Sequence, residues 1–128
     1  MNKPCPFCEL VPARILVTAL HGFVYRDGFP VSPGHTLIIP RRHVGSFFEI
    51  EVKEREALLA LLEDAKRLLD KEFHPAGYNI GINDGAAAGQ TVPHVHIHLI
   101  PRYHGDVENP RGGVRWVIPD KANYWSAR

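Results

Sequence analysis

Cysteine is scarce in this chain, with 2 in 128 residues, and both fall in the single segment Cys5-Pro6-Phe7-Cys8. A pair that close cannot build a disulfide framework, so stability must come from a packed core. No apolar run approaches the ~20 residues that a membrane-spanning helix needs, so no membrane partner is expected. Charge of one sign is missing too: 15 Lys and Arg against 14 Asp and Glu leave a net +1. That balance removes the general reason for binding nucleic acid or an acidic membrane surface. An anionic partner should therefore be small, favoured locally by Arg41, Arg42, Arg102, Arg111 and Arg115. The segment Met1-Asn2-Lys3-Pro4-Cys5 lacks the apolar core of a secretion signal, so a cytoplasmic location is expected. Internal repeats are absent, and low complexity is confined to Ala86-Ala87-Ala88. With 45% hydrophobic residues, 128 positions suit one α+β domain with a single core.

What the chain does have is concentrated in Gly89-Gln90-Thr91-Val92-Pro93-His94-Val95-His96-Ile97-His98-Leu99-Ile100-Pro101-Arg102, where three histidines alternate with three aliphatic residues. A strand throws successive side chains to opposite faces, so Val95, Ile97 and Leu99 would enter the core. His94, His96 and His98 would then line one other surface as a row of imidazoles. The Cys-x-x-Cys is either metal-binding or redox-active. A thioredoxin-like pair follows a strand and opens a helix, and nothing before Cys5 is long enough to be that strand. Half of a tetrahedral metal site fits better, with two ligands still to come from afar.

Elsewhere, Arg14–Ala19 and Phe23–Tyr25 read as a hairpin, and His35–Ile39 as a strand after a turn-rich loop from Asp27 to Gly34. Ser46 with Glu49 has capping-box spacing and starts a short turn. A long helix follows: Leu58, Leu61, Leu62, Ala65, Leu68, Leu69 and Phe73 form its buried stripe, while Glu54, Glu63, Lys66, Arg67 and Asp70 face water. It stops near His74-Pro75-Ala76-Gly77. Tyr78–Asn83 alternates as another strand. The tail from 103 to 128 is too apolar at Val114, Trp116, Val117 and Ile118 for a disordered linker, and is expected to pack on the domain or on a dimer partner.

The histidine segment resembles the signature of the histidine triad family of nucleotide hydrolases and transferases: His, apolar, His, apolar, His, apolar, apolar after a Gly-Gln-Ser/Thr turn. The resemblance continues in Ser32-Pro33-Gly34-His35-Thr36-Leu37-Ile38-Ile39-Pro40 and covers roughly residues 4 to 102, the expected core of a domain spanning 1–128. It implies an α+β fold with an antiparallel sheet of about five strands, one long helix and a short helix. It also implies a homodimer.

A neutral imidazole attacks phosphorus when its other nitrogen is held as a donor by a carbonyl. His96, flanked by a histidine on each side, is the best placed, and the resemblance makes it the nucleophile that takes a nucleotidyl group from the α-phosphate, with His94 and His98 as the other catalytic members. Gln90, the N–H groups of Thr91 and Val92, and His98 are the candidate donors to non-bridging oxygens. The resemblance further places Asn83 on the leaving-group side, Asp27 on the ribose hydroxyls, and a structural zinc on Cys5, Cys8, His43 and His94. The spelling leans toward the fragile-histidine-triad branch, which hydrolyses dinucleoside polyphosphates, whereas Asn83 stands where the phosphoramidase branch has Asn. Two other classes stay open at this stage: a metalloenzyme with one catalytic ion on all three histidines, and a nucleotide-binding module without turnover.

Overall fold

Segments rich in branched and aromatic residues build five strands, β1 (Ile15–Thr18), β2 (Gly22–Arg26), β3 (Thr36–Pro40), β4 (Gly77–Gly81) and β5 (Ile97–Arg102), with the helix α1 (Val52–Phe73) between β3 and β4; burial alternates along β1 and β5, whereas the central β3 is buried throughout. A four-residue helix, α2 (Pro119–Ala122), lies in the tail. The computed structural model describes residues 4–127; Met1–Lys3 and Arg128, the ends of the span read as one domain, lie outside the described residues. All strands pair antiparallel in the order β1-β2-β3-β5-β4, so β5, last in sequence, sits beside β3. None of the described helices is long and apolar enough to cross a membrane.

The two sheet faces differ. Val24, Ile38, Ile97 and Leu99 point to α1 and pack with Leu58, Leu61, Ala65 and Leu69, the stripe expected from its three- and four-residue steps. Tyr25, Leu37 and Ile39 point the other way, where Phe7 and Leu10 from the N-terminal segment and Ile15 of β1 pack against them. Register aligns Tyr25 with Leu37 and Leu37 with His98, so the second face runs from an aromatic end to a histidine end. Two helix positions depart from expectation. Leu68 remains exposed, because α1 meets a sheet on one side only. Glu54 is buried and not solvated: its carboxylate accepts from Arg42 Nε and Nη2 and from Glu51 N–H. That pairing ties the start of α1 to the loop after β3 and holds the Glu54 carboxyl below its ordinary range.

The triad strand is shorter than its alternation suggests. Ladder pairing begins at Ile97; the chain bends through Val92–His94, where His94 N–H returns to Val92 O at 2.8 Å, and the lead-in is held by single bonds such as Val95 N–H to Val44 O at 2.7 Å. In the tail, Gly113–Val117 touches β4. Arg115 donates to Ala122 O and Lys121 O, and Ala122 is fully buried. Val114, Trp116, Val117 and Ile118 nevertheless stay exposed.

Candidate active site and metal centre

Three histidines two residues apart acquire three hydrogen-bonding states, which the partners of each ring assign. His94 is fully buried and gives its Nε2–H to Pro40 O at 2.8 Å, leaving the Nδ1 lone pair free. His96 gives its Nδ1–H to the carbonyl of His94 at 2.9 Å, leaving Nε2 as the lone pair. His98 is set from further back. Val31 N–H donates to His35 Nδ1 at 3.2 Å, so His35 carries its proton on Nε2 and donates it to His98 Nδ1 at 2.9 Å. His98 therefore presents Nε2–H. Burial, then the neighbouring His96 and His35, push the His98 pKa down to about 4, and burial also lowers His35 and His94. His98 is thus a neutral donor at physiological pH.

His96 and His98 line a cavity of about 450 Å³ on the sheet face opposite α1. Its lining combines apolar side chains, Phe7, Tyr25, Leu37, Phe29 and Val31, with polar ones, Asp27, Asn83, Thr91 and the two histidines. Phe29, also in this lining, is 91% exposed. Asp27 is held in this lining: Oδ1 accepts from Phe29 N–H at 2.8 Å, closing the turn that carries the Phe29 ring, and Oδ2 lies 3.4 Å from His35 Nε2.

Gln90 lines the cavity, but its side chain is committed to the protein. Nε2 donates to Gly45 O and Val92 O while Oε1 accepts from Gly85 N–H. What it contributes is loop shape. Gly89, at φ +92°, turns the chain in a conformation that side chains resist, and among the described residues the N–H groups of Thr91 and Val92 donate to no protein acceptor. Thr91 and Val92 line the same cavity as His96.

The five arginines that favour phosphate by sequence are engaged elsewhere: Arg41 with Ala19 O and Leu20 O, Arg42 with Glu54, Arg102 with Asp106, Arg115 with tail carbonyls, and Arg111 over the Trp125 ring. The arginine in the cavity wall is Arg14, whose guanidinium lies over Tyr25 and against Gly28, where a Cβ would sit 1.9 Å from Nη1. Arg14, His35 and Phe7 line this cavity, and sequence reasoning assigns none of them a role there. For His35 a signal existed: alternation places it on the face of Leu37 and Ile39, the face that receives His98. Its seat depends on Gly34, at φ +85° and so close to α1 that a Cβ would lie 2.8 Å from Leu69 Cδ2.

At the other end of the triad, Cys5, Cys8, His43 and His94 converge with their ligand atoms all within 4.8 Å of one another. The separations are 3.2 Å for His43 Nδ1 to His94 Nδ1, 3.2 Å for Cys8 Sγ to His43 Nδ1, and 3.4 and 3.6 Å from Cys5 and Cys8 Sγ to His94 Nδ1. Tetrahedral zinc with ordinary bond lengths spaces its ligands by about 3.3 Å between nitrogens and about 3.6 Å between nitrogen and sulfur. The donor set fits such an ion. Pro40 O on His94 Nε2–H is the outer partner that fixes a metal-ligating imidazole. Burial and the adjacent Cys5 push the Cys8 thiol up, as expected of two sulfurs that need a cation between them. Among the described residues the three triad histidines do not converge on one point, so the arrangement offers no common ion to all three. Asp27, His35 and His98 also cluster, but there the proton on His35 Nε2 makes a hydrogen bond the better description.

The HIT domain family matches residues 9–105. A Mycoplasma pneumoniae protein described as an uncharacterized 16.1 kDa HIT-like protein is 35% identical over 106 residues, covering 80% of this chain and 74% of that one. A Saccharomyces cerevisiae bis(5'-adenosyl)-triphosphatase is 32% identical over 127 residues, 98% of this chain and 59% of that one. Among solved structures, a Zn-bound histidine triad family protein from Mycobacterium smegmatis superposes with a TM-score of 0.72 at 33% identity, covering 80% of this chain and 77% of the other.

Proposed function

The chain belongs to the HIT domain family, and from that premise we propose that it is a nucleotide hydrolase or transferase that cleaves dinucleoside polyphosphates at the α-phosphate through a covalent nucleotidyl-His96 intermediate. The observation that carries the reading is the His96 ring: Nδ1–H is held by His94 O, which leaves Nε2 as the lone pair of a ring that lines a 450 Å³ cavity of mixed apolar and polar walls.

The base lies among the apolar walls and the ribose near Asp27. His96 Nε2 attacks the α-phosphorus; the P–N bond forms as the bond to the leaving polyphosphate oxygen breaks, with Asn83 on the leaving side. Charge that gathers on the non-bridging oxygens meets the amides of Thr91 and Val92 and the His98 Nε2–H, while Gln90 holds the amide loop in shape. Water or another acceptor then cleaves the P–N bond and restores the ring. His94 acts through its carbonyl. Zinc on Cys5, Cys8, His43 and His94 supplies structure and no open position for water. We further read the protein as a cytoplasmic homodimer, in which exposed residues of the tail and of the β4 edge, such as Ile80, are covered.

A second reading, purine nucleoside phosphoramidase, is favoured by Asn83 in place of Gln. The test is parallel incubation with diadenosine triphosphate, diadenosine tetraphosphate and adenosine phosphoramidate. The proposal expects the polyphosphates to turn over faster. Faster phosphoramidate cleavage selects the second reading, and tight nucleotide binding with no turnover of any of the three overturns both in favour of a binding module.

A further inference from the structure

Phe7 stands between the two cysteines in sequence and between the two sites in space. Its ring makes an edge contact with the His96 ring, centroids 4.7 Å apart, and a looser one with His94 at 6.1 Å. It packs on Tyr25, Leu37 and Ile39 and forms part of the cavity wall.

The knuckle that carries it is tied to the rest of the protein in an unusual way. Cys8 N–H and Glu9 N–H both donate to Cys5 O, so the backbone bonds of this turn close on themselves. Among the described residues, nothing from 4 to 10 makes a backbone hydrogen bond to the rest of the chain; the first such tie is Val11 N–H to Tyr25 OH at 3.0 Å. The polar links of the knuckle are its two sulfurs, facing His43 and His94. His94 in turn is fastened to the end of β3 through Pro40 O. Thiols facing imidazoles are weak anchors, whereas thiolates on a shared cation are strong ones.

We propose that the metal seats Phe7 as a wall of the nucleotide pocket, so that metal and nucleotide bind with positive coupling. The inference rests on the reading of the cavity as a nucleotide site. With the ion bound, the ring is fixed in its edge contact with His96 and presents a finished wall to the base. Without it, the knuckle keeps its apolar contacts and the weak thiol–imidazole ones, and a nucleotide must order the segment as it binds. Loss of one aromatic wall from a base site corresponds to roughly a tenfold or greater loss of affinity. Because coupling is reciprocal, saturating nucleotide must tighten the metal by the same factor.

The experiment is calorimetric titration of AMP into zinc-loaded and chelator-stripped full-length protein, with circular dichroism on both, and the same titration into zinc-loaded Phe7→Ala. The expected result is an AMP affinity about tenfold weaker after stripping. Phe7→Ala should keep one zinc and the wild-type circular dichroism spectrum yet bind AMP as weakly as the stripped protein. An unchanged AMP affinity in Phe7→Ala overturns the proposal, and this arm does not depend on the stripped protein remaining folded. Equal affinities with and without zinc also overturn it. Absence of AMP binding to the zinc-loaded wild type overturns the nucleotide reading itself, a failure distinct from the loss of coupling.

Discussion

The two ends of the run from His94 to His98 use the same side chain on the same short stretch for opposite purposes. At the His94 end the ring is sealed from solvent, donates outward to Pro40 O, and turns its lone pair toward two sulfurs and a second imidazole. At the His98 end the ring opens on a cavity, accepts from His35, and turns an N–H toward it. His96, between them, faces the cavity with a lone pair because the backbone of His94 takes its proton. Identity of the residue decides little here. The partner of the second nitrogen decides whether an imidazole offers a lone pair or an N–H, and two of the three partners, His35 and Pro40, stand at opposite ends of β3.

The sharpest way to break the comparison is to remove the middle ring. His96→Asn should lower turnover by several orders of magnitude while AMP binding, measured by calorimetry, stays close to wild type, because Asp27, Asn83 and His98 remain. At the sealed end, Cys8→Ser should lose the zinc, read by metal analysis, and lower the thermal midpoint by several degrees or more; unchanged zinc content refutes the ligand set. Smaller again is His35→Ala, which frees His98 to adopt the other tautomer. Its kcat should fall about 10- to 100-fold with KM little changed, by analogy with outer partners of metal-bound imidazoles. A ¹⁵N spectrum should show the proton of His98 leaving Nε2, a shift that a purely structural role for His35 does not produce.

The mildest expected effect concerns pH. His98 is held at about 4 against an ordinary 6.5, so between those values the unfolded chain binds a proton that the folded chain does not. Stability then rises with pH across the window. The contribution is complete above pH 6.5 and is lost as pH falls toward 4. Urea midpoints should drop over that interval in wild type, and by less in His98→Asn.

Much of this was legible in the sequence because local periodicity carries it. The alternation His94 to Leu99 correctly sends Val95, Ile97 and Leu99 into the core, and the stripe on α1 is buried at Leu58, Leu61, Ala65 and Leu69. The paired cysteines also pointed to a metal. What stayed hidden depends on register between distant strands. His35 meets His98 only because β3 lies beside β5, and Phe7 reaches the cavity only because its segment covers the face of Tyr25 and Leu37. Glu54 reads as a solvated helix charge until the loop holding Arg42 folds onto it. Gln90 reads as a donor to substrate until Gly45 O and Val92 O claim its amide. Arg14 gave no signal at all, since nothing in its neighbours announces that Gly28 will pack against it.

The central claim is that His96 Nε2 forms a bond to phosphorus, and the most direct measurement is the mass of the peptide that bears it. Protein mixed with diadenosine triphosphate and quenched rapidly without acid should show an adenylyl group on the fragment containing residues 94 to 98. The adduct should be absent from His96→Asn. Turnover that proceeds with no adduct in wild type, and that persists in His96→Asn, would contradict the account.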